Sequence, residues 1–170
     1  MSLSNQMKII LTTVLVLAML SCNLQTNNNS VVLQNQIDSL SIRIAHAYSP
    51  GVGEFMLAIQ MHHAKLWFAG KNSNWELANF EMEEIQESLD DIKTYCADSP
   101  SIKPLLMIFP PLDSVRSAIK TKNIESFKSS FNFLTNTCNN CHKEANHPFN
   151  VIKIPDNPPV TNQVFEKRYN

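Results

Sequence analysis

Apolar residues return every three or four positions in several stretches of this chain, a spacing that predicts helices. From about Gly53 to Ala69, Val52, Met56, Ile59, His63 and Leu66 share one face, and Phe55, Ile59, His62 and Leu66 form a flanking row. A helix of that length spans roughly 25 Å. Gly70, four beyond Leu66, reads as its C-terminal cap. Asn72-Ser73-Asn74 reads as an N-cap cluster, and Trp75 opens the next run. There Ala78, Met82, Ile85, Leu89, Ile92 and Cys96 point inward. The other side carries Glu76, Glu81, Glu83, Glu84, Glu87, Asp90 and Asp91 against Lys93, which reads as a solvated face and, secondarily, as a docking surface for a basic partner. Cys96, on the apolar stripe, reads as a buried inert thiol.

Ser99-Pro100 and Lys103-Pro104 interrupt the pattern, and Pro110-Pro111 ends the apolar run Leu105 to Phe109. A short third helix starts near Pro111, turns Leu112, Val115, Ala118 and Ile119 inward, and ends around Lys122. Asn123 caps a fourth, whose stripe is the clearest in the chain: Ile124, Phe127, Phe131, Leu134, Cys138 and Cys141, with His142 beside it. Trp67 and Trp75 read as packing around the first inter-helix turn.

The two ends follow other rules. Lys8, the apolar run Ile9 to Leu20 and the small Ser21 before Cys22 look like a bacterial lipoprotein signal, which implies removal of residues 1–21 and a lipid anchor at Cys22. The apolar run is too short to span a bilayer. Residues 22–50 read as a polar tether around Asn27-Asn28-Asn29, followed by a strap or short helix that Pro50-Gly51 closes. Residues 51–147 hold the helices. Residues 148–170, with Pro148, Pro155, Pro158 and Pro159, read as an extended tail that Val160, Val164 and Phe165 pin in part.

One domain fits the length of 170 residues. Removing residues 1–21 takes Lys8 from the 14 basic side chains and none of the 15 acidic ones, leaving a net charge near −2. That balance gives no case for nucleic-acid binding and points to redox proteins or small molecules as partners. No carboxylate pair or serine-histidine arrangement stands out, so hydrolysis has no motif behind it.

Thr137-Cys138-Asn139-Asn140-Cys141-His142 carries the chemistry. C-x-x-C-H is the attachment pattern of a c-type haem: two thioethers fix the porphyrin, and the adjacent imidazole takes the iron from one side. A zinc half-site would need two further ligands, for which only Cys96 and His147 stand near. A redox dithiol sits at a strand-to-helix junction, whereas this pair closes a long apolar-periodic run.

In helix order over residues 52–145, and in the late position of Cys138, Cys141 and His142, the chain resembles the class II c-type cytochromes, the cytochrome c-prime and low-spin cytochrome c-556 group. The resemblance implies an all-α, antiparallel four-helix bundle with the haem motif near its C-terminal end, one covalent haem c, and export from the cytoplasm. A homodimer is compatible with it. Its low-spin members ligate iron with a methionine early in the first helix, a position that Met56 matches. The high-spin members leave that side open to nitric oxide or carbon monoxide. This chain departs from both in its ligand-rich Gln60-Met61-His62-His63 stretch and its Pro-rich tail.

No methionine follows His142, so a methionine ligand must come from upstream. Met56 and His63 share a face two turns apart; Met61, His62 or no protein ligand are the alternatives. A methionine raises the potential, and a second histidine lowers it. The expected function is single-electron transfer in the periplasm or on the outer membrane face, by an electron carrier and not an enzyme; the alternative is a five-coordinate gas-binding haem protein. Weak peroxidase activity is open to any exposed haem, but no arginine lies near the histidines in sequence.

Overall fold

The helical periods read from the chain are realised one by one. The computed structural model describes residues 3–47 and 50–167, and no strand occurs among them. Residues 1–49 and 50–170 form two separate units.

In the first unit, α1 (Leu3–Ala47) is one helix of 45 residues. The expected tether and strap are both part of it, because no Pro or Gly interrupts that stretch and the backbone ladder continues through the asparagines. The apolar side chains from Ile9 to Val16 are exposed. No helix among the described residues is long and apolar enough to cross a membrane. The Cys22 side chain lies outside what the structure describes.

The second unit holds α2 (Val52–Lys71), α3 (Trp75–Tyr95), a short α4 (Ile102–Leu105) that runs through a 3₁₀ turn into α5 (Phe109–Thr121), and α6 (Ile124–Glu144). It is an all-α bundle in which α2 lies along α3 and α5 along α6, and contacts from α2 to α6 and from α3 to α5 join the two pairs. Asn74 caps α3 by accepting from the Leu77 N–H (3.3 Å), and Asn123 caps α6 by accepting from the Ser126 N–H (2.9 Å). Each cap contributes on the order of 1 kcal/mol. Pro110 and Pro111 fall in the first turn of α5, where a missing N–H costs nothing.

The inward stripes are those the spacing predicts: Ala78, Met82, Ile85, Leu89 and Ile92 on α3; Leu112, Val115, Ala118 and Ile119 on α5; Phe127, Phe131 and Leu134 on α6. Phe127 and Phe131 stand at the centre, with Trp67 and Trp75 against them at ring separations of 5.0–6.3 Å. Of the tail, Phe165 is buried against Phe68, whereas Val164 is exposed.

Three further expectations change. Gly70 lies inside α2, and the helix ends at Asn72 instead; the left-handed position after α2 is taken by Ser73 (φ 58°). Gly70 serves close packing, since a Cβ there would sit 2.1 Å from the Phe127 ring. Glu81 is not on the solvated face; it is fully buried, because its register beside Ala78, Met82 and Ile85 falls on the broad inward face against α2. Its Oε2 shares a hydrogen bond with His62 Nδ1 (2.7 Å), and Oε1 has no partner. Cys96 ends α3 half-buried and donates its S–H to the Pro50 carbonyl (3.3 Å).

Candidate haem-attachment site

The last two turns of α6 carry the motif, and the way this helix stops shapes the site. Asn146 adopts φ 64°, its N–H reaches the Lys143 carbonyl (3.1 Å), and the His147 N–H reaches the His142 carbonyl (2.7 Å). This pair of bonds, closed by a residue in the left-handed region, reverses the chain at the helix end. The returning segment passes back over the motif. His142 Nδ1 lies 2.6 Å from the Asn150 carbonyl, and the Asn139 amide pairs with the backbone of Ile152 through two bonds of 2.7 and 2.8 Å. A carbonyl only accepts, so His142 donates from Nδ1, and in the neutral tautomer that does so the lone pair is on Nε2.

Cys141 is buried and Cys138 half-buried, and neither is in a disulfide. Burial pushes the Cys138 thiol up to about 12, with the neighbouring Cys141 adding to the effect; burial also raises Cys141. Both stay protonated near neutral pH, unlike a dithiol poised for exchange. Among the described residues no three His, Cys, Asp or Glu side chains are grouped to hold a metal ion.

Two cavities meet at the motif. One, of about 260 Å³, is lined by Gly53, Met56, Leu57, Ile59, Gln60, His63, Cys138, His142, Asn150 and Ile152. The other, of about 30 Å³, is lined by Met56, Ile59, Leu89, Leu105, Ile108, Cys138, Cys141 and His142. Met56, Ile59, Cys138 and His142 wall both, so the two cavities adjoin at the motif, the smaller one apolar and the larger one carrying Gln60, His63 and Asn150 as well. The donor set there, two thiols and an imidazole, is the one that covalent attachment of a c-type haem would use. A larger groove of about 410 Å³, between Trp75, Ile119 and surface lysines, shares no residue with the motif and has none of its chemistry.

The structure thus brings Met56, His63, Cys138 and His142 to one cavity, with Cys141 on the adjoining one. Met61 is exposed, and His62 turns to Glu81 on α3. His63 is only 4% exposed and packs against Phe131 with the rings tilted by 31° and their centroids 4.4 Å apart. The Thr135 hydroxyl donates to the Phe131 carbonyl (2.9 Å), so its oxygen is left to accept from His63 Nε2 (2.9 Å). His63 therefore carries its proton on Nε2 and has that nitrogen engaged.

Burial lowers the His63 pKa from 6.5 to about 4. The unfolded chain binds a proton at this residue at higher pH than the folded chain does, so folded stability is complete above about 6.5 and is lost as pH falls toward 4. The loss amounts to roughly 3 kcal/mol at most. Urea denaturation at pH 7 and pH 4.5 should show it, and His63→Leu should flatten that part of the profile. Thr135 keeps its Phe131 partner in the variant, so no buried hydroxyl is orphaned. An identical slope in both proteins would refute the assignment.

Thr135, Asn139, Asn146 and Asn150 were not singled out from the sequence. An asparagine just past the end of a helical stripe was the available signal for Asn146. The others depend on chain reversal, which no periodicity displays. The chain matches no protein-family model, no curated protein and no solved structure.

Proposed function

We propose that the chain is a monohaem c-type cytochrome that passes single electrons in the cell envelope, an electron carrier rather than an enzyme. The observation that carries this reading is the hydrogen bond from His142 Nδ1 to the Asn150 carbonyl, which leaves Nε2 as the free donor beside Cys138 and Cys141. Iron-ligating histidines characteristically give their other N–H to such a carbonyl. A covalent haem, when bound, supplies the one-electron couple. Cys138 and Cys141 would hold such a group through thioethers, and His142 would supply an imidazole to its iron.

Met56 would be the second residue of the chain to hold the iron. It walls both cavities together with Cys138 and His142, whereas His63 lines one of them and has Nε2 bonded to Thr135. His63 instead closes the pocket as a neutral, buried imidazole against Phe131. Ile59, Leu89, Leu105 and Ile108 keep the surroundings apolar, which disfavours charge on the oxidised iron and supports a raised potential.

Helix order and the late motif support an antiparallel four-helix bundle of the class II cytochrome type, with the Pro-rich segment laid back over its motif. Exposed apolar residues from Ile9 to Val16 support a secretory leader, with lipid attachment at Cys22 and a place in the periplasm or on the outer membrane face. Exposed Glu83, Glu87 and Asp90 on α3 support docking of a basic redox partner.

A second reading, gas binding at a five-coordinate iron, is favoured by Gln60 and His63 lining the same cavity as Met56, since polar groups there would meet a bound diatomic. The absorption spectrum separates the two. The haem-bearing protein should be low-spin and indifferent to carbon monoxide. Met56→Ala should turn it high-spin and reactive with the gas, and His63→Ala should leave the spin state unchanged. A high-spin unaltered protein that shifts with carbon monoxide would replace electron transfer by gas binding.

A further inference from the structure

The spacer inside C-x-x-C-H is usually free to vary in a pattern of this kind, yet here its first residue is fully engaged. Asn139 Nδ2 donates to the Ile152 carbonyl (2.8 Å), and the Ile152 N–H donates back to Asn139 Oδ1 (2.7 Å). The two bonds fix the orientation of the amide, because the backbone N–H can only donate and the backbone carbonyl can only accept. One side-chain amide thereby acts as a strand edge for a segment that has no strand to pair with.

Ile152 lies two residues beyond Asn150, whose carbonyl receives the Nδ1 hydrogen of His142 at 2.6 Å. On its other side that carbonyl is tethered through the reversal at Asn146 and the bond from the Asn150 N–H to the His147 carbonyl (3.0 Å). A chain held at both ends has little freedom to move the carbonyl between them. Without the Ile152 anchor, the carbonyl would lose its restraint on the C-terminal side and keep the bonds at 146–150 on the other. Asn150 and Ile152 also line the 260 Å³ cavity together with Met56 and His63, so the same anchor sets where that part of its wall stands.

We propose that Asn139 is a positioning residue: it clips the returning chain at Ile152 and so holds the Asn150 carbonyl on the Nδ1 hydrogen of His142. This rests on the haem reading above and names the part of this chain that controls the strength of the iron's histidine. A carbonyl held close to the Nδ1 hydrogen gives the ring partial imidazolate character and makes Nε2 a stronger donor. A stronger donor favours the oxidised iron and lowers the potential; releasing the carbonyl raises it.

The test uses the full chain, made with haem-attachment machinery, as the unaltered protein and as Asn139→Ala and Ile152→Pro. Asn139→Ala removes both bonds and favours the helix it stands on. Ile152→Pro removes the donor on the other side and leaves every residue of the motif in place. Both variants should bear haem by mass and Soret absorbance. Each should exchange the amides of residues 149–154, the introduced proline excepted, about tenfold faster, as loss of the clip predicts, and each should have a potential above that of the unaltered protein. Faster exchange with an unchanged potential would reduce the clip to a structural role and overturn the proposal. So would unchanged exchange and potential in haem-bearing variants, and in both cases the haem reading would stand. An unaltered protein that carries no haem under the same conditions would overturn that reading, and the role of Asn139 toward iron with it.

Discussion

The double variant Cys138→Ser, Cys141→Ser, produced in cells with an active haem-attachment system, is expected to have the mass of the bare polypeptide and no Soret absorbance, whereas the unaltered chain carries the added mass of one haem. The loss should be essentially complete, because nothing but those two thiols can form the thioethers at this site. Serine is close to cysteine in size, so the end of α6 and its packing should survive the change. Burial and the neighbouring Cys141 push the Cys138 thiol up to about 12, so it is protonated near neutral pH, the reverse of a dithiol activated for exchange. Single substitutions should leave one thioether and a lower yield of haem protein. If the unaltered chain showed the bare mass and no Soret band, electron transfer and gas binding would both be refuted.

How far the sequence revealed this molecule depends on the length scale of the signal. Periodicity located α2, α3, α5 and α6 to within about two residues, because Met82, Ile85, Leu89 and Ile92, or Phe127, Phe131 and Leu134, are determined by a local repeat that tertiary contacts reinforce. Asn74 and Asn123 were legible as caps for the same local reason. The expectation failed where composition stood in for register. Glu81 was grouped with the acidic side chains around it, but a helix face is set by angle, and residue 81 stands beside Ala78, Met82 and Ile85. Once it is there, His62 of the facing helix supplies its hydrogen bond. The site divides in the same way. Cys138, Cys141 and His142 are adjacent in sequence, and Met56 and His63 share one face of α2, so their approach to a common cavity needed only the bundle. Thr135 on His63, and the return of residues 150–152 over the motif, depend on long-range geometry that leaves no pattern in a single chain.

Gly70→Ala is expected to destabilise the protein by about 1–2 kcal/mol, although helix propensity alone predicts a gain of about 1 kcal/mol from the same change. Gly70 lies within α2 without positive φ, so alanine is not strained there by its backbone. The cost comes from space: the added Cβ would fall 2.1, 2.3 and 2.5 Å from three atoms of the Phe127 ring. That ring is fully buried, and Trp67, Trp75 and Phe131 all pack against it, so it has no room to withdraw. Either the ring leaves its place or α2 moves away from α6, and both disturb the contact that brings His63 to Thr135. Phe127→Ala alone should cost about 3–5 kcal/mol by opening a cavity in that cluster. Combined with it, Gly70→Ala should lose its penalty, because the atoms it collides with are gone, and propensity should then make it mildly stabilising. The coupling between the two positions should be about 1–3 kcal/mol, well outside simple additivity. Urea denaturation of the four proteins in this cycle measures it. Gly70→Ala stabilising by itself, or costing the same with and without Phe127, would mean that the two helices do not approach at this point, and the α2 face carrying Met56 and His63 would lose its footing on α6.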